Sequence, residues 1–396
     1  GYPYGLYNKE TGDVAKTAYN DESSYYRNLL NTGLNVEYQA QNFTLSAVTG
    51  YQHLKDRMFL DQDFTAKNTY TLEQKQRINT ISEEIVMKSK ESHRWQWATG
   101  IFGFYQWLNT TAPVTFKEDG MAMMDQMLGN FIPALVEVPM GPGRNMNIMP
   151  ALKVTSARLP INGDFKTPLL NGALFHQSTF RDLFGIDGVS FTAGLRLDYE
   201  KMKMDYNSGT AMDYTIGITG QMMMNGAPTG KPISMMPETA LTVTSRYQGS
   251  ISKDYLQLLP KFALQYDFPK NLGNVYATVS KGYRSGGYNI QMFSDLLQAS
   301  LKNDMMRLTK DEIMSQVPEN LKDMVNFIPD AGENPDARAA TVYKPEQTWN
   351  YEIGTHLNLF QNRLRADAAL FWLETRDQQI SRFAQSGLGR ETVNAG

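Results

Sequence analysis

About ten runs of alternating apolar and polar residues, arranged as five pairs, constrain this chain more than any other feature it has. Residues 29–57 form the first pair, broken at Ala40-Gln41-Asn42, and 74–109 the second, broken at Lys90–His93. Residues 169–205 turn at Leu183–Gly188, 255–290 at Pro269–Asn274, and 347–381 at Phe360–Arg363. Between the pairs lie longer segments, 58–73, 110–168, 206–254 and 291–346, which read as irregular loops. A soluble sandwich has no reason to alternate short and long connections strictly. An up-and-down barrel in an outer membrane does, with short periplasmic turns and long extracellular loops. The predicted fold is therefore all-β: an antiparallel up-and-down transmembrane β-barrel, or part of one.

The faces of the clearest strands agree. Phe191, Ala193, Leu195, Leu197 and Tyr199 alternate with Thr192, Gly194, Arg196, Asp198 and Glu200. Trp349, Tyr351, Ile353, Leu357 and Leu359 alternate with Asn350, Glu352, Gly354, His356 and Asn358, with Thr355 as the one lapse. Trp95, Trp97, Ile101, Tyr105 and Trp107 share a face, with aromatic residues at both ends as interfacial girdles require. Runs 74–89 and 169–182 are apolar on both faces, and Lys281 falls on the apolar side of its run, so those faces stay unassigned.

There is no run of 18 apolar residues, and the mean hydropathy is −0.43, so membrane-spanning helices are ruled out. Lys and Arg number 38 against 41 Asp and Glu, a net charge of −3, which leaves no footprint for nucleic acid. No cysteine is present, which removes disulfides, thiolate catalysis and Cys-based metal sites. Within 291–346, Ser294 is a candidate N-cap, Thr309 with Glu312 a candidate capping box and Pro318 a helix start.

Catalytic and metal chemistry finds little support, and the protein is not expected to be an enzyme. Glu83 and Glu84 are adjacent and so point to opposite faces of a strand. His53, His93, His176 and His356 lie far apart and read as lumen or turn residues. Gly286-Gly287 reads as a bend at a barrel rim, because no helix start of the phosphate-binding kind accompanies it. Met222–Met224 and Met235-Met236 could bind a soft metal, but an adaptable apolar loop is the plainer reading. Tyr283, Arg284 and Tyr288 either touch a ligand or anchor loops and girdle, with anchoring favoured. No catalytic residue, metal site or cofactor is assigned, and the ligand-contacting residues are left open.

Val275-Tyr-Ala-Thr-Val-Ser-Lys-Gly-Tyr-Arg-Ser-Gly-Gly-Tyr-Asn289 resembles a strand and outer rim of TonB-dependent receptors. Tyr343-Lys-Pro-Glu-Gln-Thr-Trp-Asn-Tyr-Glu-Ile-Gly354 is similar to the Lys-Pro-Glu opening of a later strand in that family. Phe191–Asp198, Leu259–Tyr266, Asn362–Phe371 and Asp377–Ile380 resemble further family strands in the expected order. The resemblance implies that residues 1–396 are an internal portion of a barrel of about 22 strands. The plug domain and the closing C-terminal strands are expected to lie outside it.

It further implies location in the outer membrane of a Gram-negative bacterium. The partners implied are TonB with its inner-membrane energising complex, acting through the plug, and the lipid bilayer. The implied activity is import of a large scarce ligand, foremost a ferric siderophore or similar metal chelate. Alternatives are oligosaccharide or cobalamin uptake, a passive porin, and a soluble carbohydrate-binding β-protein; haem uptake is disfavoured.

Overall fold

The computed structural model describes residues 20–395 apart from 62–66, 91–93, 131, 318, 320–321, 323–327, 362 and 385–389. In chain order its strands are β1 (Ser24–Gln39), β2 (Phe43–Asp61), β3 (Tyr70–Ser89), β4 (Trp95–Thr111), β5 (Val114–Phe116), β6 (Val136–Gly141), β7 (Arg144–Val154), β8 (Leu159–Lys166) and β9 (Leu169–Arg181). They continue as β10 (Val189–Met224), β11 (Ala227–Phe268), β12 (Gly273–Arg284), β13 (Gly287–Tyr288), β14 (Val342–Tyr343), β15 (Glu346–Leu359), β16 (Leu364–Arg376), β17 (Gln378–Phe383) and β18 (Arg390–Ala395). Among the described residues three α-helices accompany them: α1 (Glu118–Gly129), α2 (Met292–Gln316) and α3 (Ala337–Thr341).

One antiparallel sheet carries the architecture. Its main path runs β1-β2-β3, then β4-β9-β10-β11-β12-β15-β16, each strand joined to its neighbour by continuous pairing. Short connections join strands at one end, as at Ala40, whose N–H donates to the Phe43 carbonyl at 2.9 Å. The turn at Lys90–His93 falls largely outside the described residues. Near the opposite end β5, β8, β7 and β6 join the sheet beside β3, β4 and β10. Strands β17 and β18 pair apart as a hairpin.

The outward face of the lower sheet is apolar. On β10, Leu195 is 50% exposed and Leu197 41%, while the alternating Asp198 is 3% and Glu200 2% exposed. A soluble core would reverse those numbers; a wall between hydrocarbon and a polar lumen requires them. The register aligns this stripe across strands, with Leu197 opposite Leu174 on β9, Leu174 opposite Ile101 on β4, and Ile101 opposite Ile85 on β3. That alignment assigns the two ambiguous runs: Ile81, Ile85 and Met87 face outward on β3, and Leu170, Leu174 and Phe180 on β9. Trp95 stacks on Phe180 with centroids 6.4 Å apart near the turns, and Tyr105 meets Trp107 edge-on at 4.4 Å farther up. Lys281 lies opposite Trp349 in the register and is half-buried. Thr355 is accommodated because its hydroxyl donates to the Asn274 carbonyl at 2.8 Å, which removes a free donor from the apolar face.

The expectation of an irregular loop at 206–254 is corrected. Strands β10 and β11 continue through it as one hairpin, paired from Val189–Tyr266 to Met224–Ala227 with irregularities only beyond Ile216. Asn225 and Gly226 have φ of 49° and 79°, the two left-handed residues of a tight hairpin turn whose twist suits paired strands. The Met-rich stretch is thus strand, with Met236 buried. Segment 110–168 is likewise ordered, as β5, α1, β6, β7 and β8.

The capping expectation in 291–346 is also corrected. Helix α2 is one continuous run with Gln291 at its N-cap position and no side-chain cap bond. Ser294 and Thr309 are buried within it, and Pro318 lies outside the described residues. Phe293, Leu296, Leu297, Leu301, Met305 and Ile313 form its buried stripe, at the three- and four-residue spacing of a helix face. They pack on Met204, Met212, Tyr214, Ile216 and Ile251 of the long hairpin. The helix is therefore held against the concave side of the sheet, above the lipid-facing stripe.

Candidate functional site

The concave face has a polar lower part and a roofed upper part. In the lower part β10 supplies Arg196, Asp198 and Glu200, since inward positions recur at every second residue. Asp198 accepts from the Tyr283 hydroxyl at 2.8 Å and from Asn171, and pairs with Arg196 at 2.8 Å. Tyr283 stands on β12, so this bond crosses over β11, where buried Gln257 accepts from Gln347 at 3.2 Å. Ser285 donates to Oε2 of Glu200 at 2.5 Å, while Oε1 of Glu200 is buried with no partner among the described residues. Such an acceptor costs about 1–3 kcal/mol unless a donor reaches it.

The roof joins α2 to the strands. Tyr214 is fully buried and its hydroxyl lies 2.8 Å from that of Thr309 on α2. Tyr247 donates to the Pro335 carbonyl at 2.8 Å, and Phe293 sits between Phe165 and Tyr206 with centroids at 5.1 and 4.9 Å. Burial pushes the hydroxyls of Tyr214, Tyr247 and Tyr343 above their usual range, and that of Tyr288 up to about 12.

Between α2, α3, β14 and the β17–β18 hairpin lies a groove of about 690 Å³, a size suited to a small-molecule ligand. Asn289 fastens the hairpin, donating to the Thr392 carbonyl and accepting from its N–H, both at 2.8 Å. Gln298, Tyr343, Arg382 and Glu391 line the groove, with Arg382 and Glu391 paired at 2.7 Å.

Tyr283 and Tyr288 act as anchors; the Tyr288 hydroxyl donates to the carbonyls of Met202 and Ile251 at 3.2 and 3.3 Å. Arg284 is exposed, opposite Glu346 in the register. Gly286-Gly287 passes directly beneath Tyr343: a Cβ on Gly286 would come within 2.7 Å of the Tyr343 carbonyl oxygen, and one on Gly287 would strike the Tyr343 ring. Glu83 and Glu84 fall on opposite faces, in register with Thr49 and Val48. His356 faces the lumen, bonded to Asp367 at 2.7 Å and stacked on Tyr276. His176 departs from the lumen reading. It faces outward opposite Leu195, with both ring nitrogens engaged, by Thr99 at 2.6 Å and Ser178 at 3.0 Å. His53 departs from it as well: it shares the outward face of Tyr51 and bonds Asn79 at 2.7 Å, while His93 lies outside the described residues. The groove itself was missed from sequence, because it unites segments about 100 residues apart.

The model of the family described as TonB-dependent receptor-like, beta-barrel, matches residues 1–396. The chain belongs to the TonB-dependent receptor family. Among solved structures, this receptor chain is similar to the ferric yersiniabactin uptake receptor FyuA from Yersinia pestis, at 16% identity and a TM-score of 0.50, covering 92% of this chain and 38% of that one. It also matches the ferripyoverdine receptor of the outer membrane of Pseudomonas aeruginosa, at 9% identity and a TM-score of 0.24, covering 91% of this chain and 48% of that one. This TonB-dependent receptor chain thus spans under half the length of either. No curated protein sequence matches it.

Proposed function

We propose that this chain forms the wall and part of the roof of an outer-membrane receptor that imports a metal chelate, foremost a ferric siderophore, in a TonB-dependent manner. One observation carries the reading: charged and apolar side chains alternate along β10 with Asp198 and Glu200 buried inward and Leu195 and Leu197 exposed outward. Only hydrocarbon outside and a polar path inside make that arrangement favourable. The groove offers a chelate the aromatic side chain of Tyr343 and the paired Arg382 and Glu391, and Glu200 Oε1 offers an acceptor to a donor entering the lumen.

The residues described above bind and position; energy enters through TonB and the inner-membrane complex, by way of a plug domain. The chelate is preferred over cobalamin or an oligosaccharide because the similar yersiniabactin receptor takes up a ferric ligand, and that preference is an analogy. Growth of a deletion strain under iron limitation, supplied with individual ferric chelates, tests it. Loss of growth on one chelate, restored by the full-length gene, is expected. Unchanged growth on every chelate overturns the chelate reading.

A further inference from the structure

Twelve of the 22 methionines fall within 121–149 and 222–236, and the pairing of β7 with β10 brings parts of these two segments together. Three of those methionines converge. Met146 on β7 lies directly opposite Met222 on β10, which sets their Cβ atoms about 4.5–5.5 Å apart on one face of the sheet. That face is the concave one, because Ile148 and Gly220, the next pair along it, are both buried. On β11, Met236 lies opposite Ile218 and Ser234 opposite Thr219, which leaves Met235 as an extra residue in a bulge. Its side chain lies over Gly220: a Cβ there would come 2.8 Å from Met235 Sδ and 3.6 Å from Met146 Sδ. The glycine thus leaves the space in which sulfurs from β7 and β11 meet, with Met222 beside it on β10.

Packing alone does not account for these residue types. Deeper in the same cluster the positions belong to Ile148, Ile216, Ile218 and Ile313, all buried. Met146, Met222 and Met235 stand at its outer end and are only half-buried. An unbranched, flexible side chain specifies packing poorly there, but its sulfur stays within reach of an ion from the medium.

The chemistry of such a donor set is narrow. Uncharged thioethers favour soft Cu(I), while harder ions require imidazole, carboxylate or water. The chain has no cysteine, and among the described residues no three His, Asp or Glu side chains gather to hold a metal. A thioether site here would therefore face no competition from a harder site within the same chain.

We propose that Met146, Met222 and Met235 bind one Cu(I) ion through their three sulfurs. The ion arrives as Cu(I) and keeps that charge, so no electron is transferred. The site rests on the meeting of the sulfurs at Gly220 and not on the imported ligand.

The full-length receptor in detergent tests it, titrated with Cu(I) in the absence of oxygen against a chromogenic Cu(I) chelator. One Cu(I) is expected per chain, with X-ray absorption showing sulfur neighbours only. The Met146→Leu/Met235→Leu double variant keeps the apolar volume and should lose affinity at least about tenfold. Met123→Leu/Met127→Leu alters two exposed methionines of α1 and should leave the affinity unchanged. Heat-modifiable migration shows that each variant has folded. Absence of Cu(I) binding by the parent, undiminished affinity in the Met146→Leu/Met235→Leu variant, nitrogen or oxygen neighbours to the metal, or equal competition by Zn(II) overturns the proposal. Uptake is not read in this assay, so failure of the import reading shows separately.

Discussion

Lys201 on β10 lies directly opposite Asp254 on β11, and one outward row below them Tyr199 lies opposite Leu256. These two rows mark a change of solvent. Below them outward positions are apolar and inward positions polar; above them Met202, Met204, Met212 and Tyr214 turn inward while Lys203, Asp205 and Asp213 turn outward. The side-chain parity is unbroken, so the environment changes rather than the strand. Ser190 to Tyr199 is about ten residues, which at about 3.3 Å each and a tilt near 40° gives about 25 Å. That is the height of an outer-membrane apolar band.

The boundary can be mapped with cysteine, since the chain has none of its own. In the full-length receptor on intact cells, Asp213→Cys is expected to react fully with a membrane-impermeant maleimide. Leu197→Cys, sixteen residues away on the same face, is expected to stay unlabelled. Leu195→Lys, midway between Ser190 and Tyr199 on that face, should cost about 2–4 kcal/mol in equilibrium unfolding from vesicles, and Asp213→Lys under about 0.5 kcal/mol. Equal labelling of the two cysteines would remove the boundary.

Glu83 breaks the outward rule. It shares its face with Ile81 and Ile85, and the Thr49 hydroxyl donates to it. One neutral donor is thin compensation for a carboxylate facing hydrocarbon. Glu83→Leu is therefore expected to stabilise the receptor by about 1 kcal/mol in vesicles. Destabilisation in that measurement would show that Glu83 has a partner in the membrane.

The roof is predicted to be insensitive to pH across the physiological range. Burial raises the Tyr214 hydroxyl above its ordinary value of 10.0, so the folded state favours the neutral phenol. Its contribution is complete below the unfolded value and is lost as pH rises through the higher folded one. Hydrogen exchange in α2 should stay constant from about pH 6 to 9, after correction for the intrinsic rate, and accelerate only above about 10. Tyr214→Phe should weaken that alkaline transition, leaving the part that Tyr247 contributes, and cost about 1 kcal/mol, because Thr309 loses its partner.

The wall was legible in sequence because lipid imposes a period of two on one face, and Phe191–Tyr199 and Trp349–Leu359 obey it. The roof and the bonds of the polar lower part were not, for three physical reasons. The apolar residues of β10 change sides at Lys201, so a search for one continuous stripe stops there, although Asn225-Gly226 was a sound hairpin signal. Helix α2 has no capping side chain, and its Ser294 and Thr309 serve the core instead. The inward charges Asp198 and Glu200 could be read from alternation, but their partners Tyr283 and Ser285 lie 85 residues onward. Only strand order brings those together.

Gly287 joins the wall to the groove, and its substitution tests whether the two depend on each other. The chain leaves the sheet after Arg284, and Gly287 pairs with Tyr343, whose ring occupies the space a Cβ would need. Tyr343 also lines the groove. Gly287→Val must displace that ring or the backbone, at about 1–3 kcal/mol, and the displacement opens the β13–β14 pair. Limited proteolysis of the full-length receptor should then cut between residues 284 and 292, where the parent resists. Gly282→Ala is the control, since a Cβ there meets nothing within 4 Å, and it should leave the digest unchanged. If the Gly287→Val digest matches the parent as well, Tyr343 moves freely and the groove is not fixed by the rim.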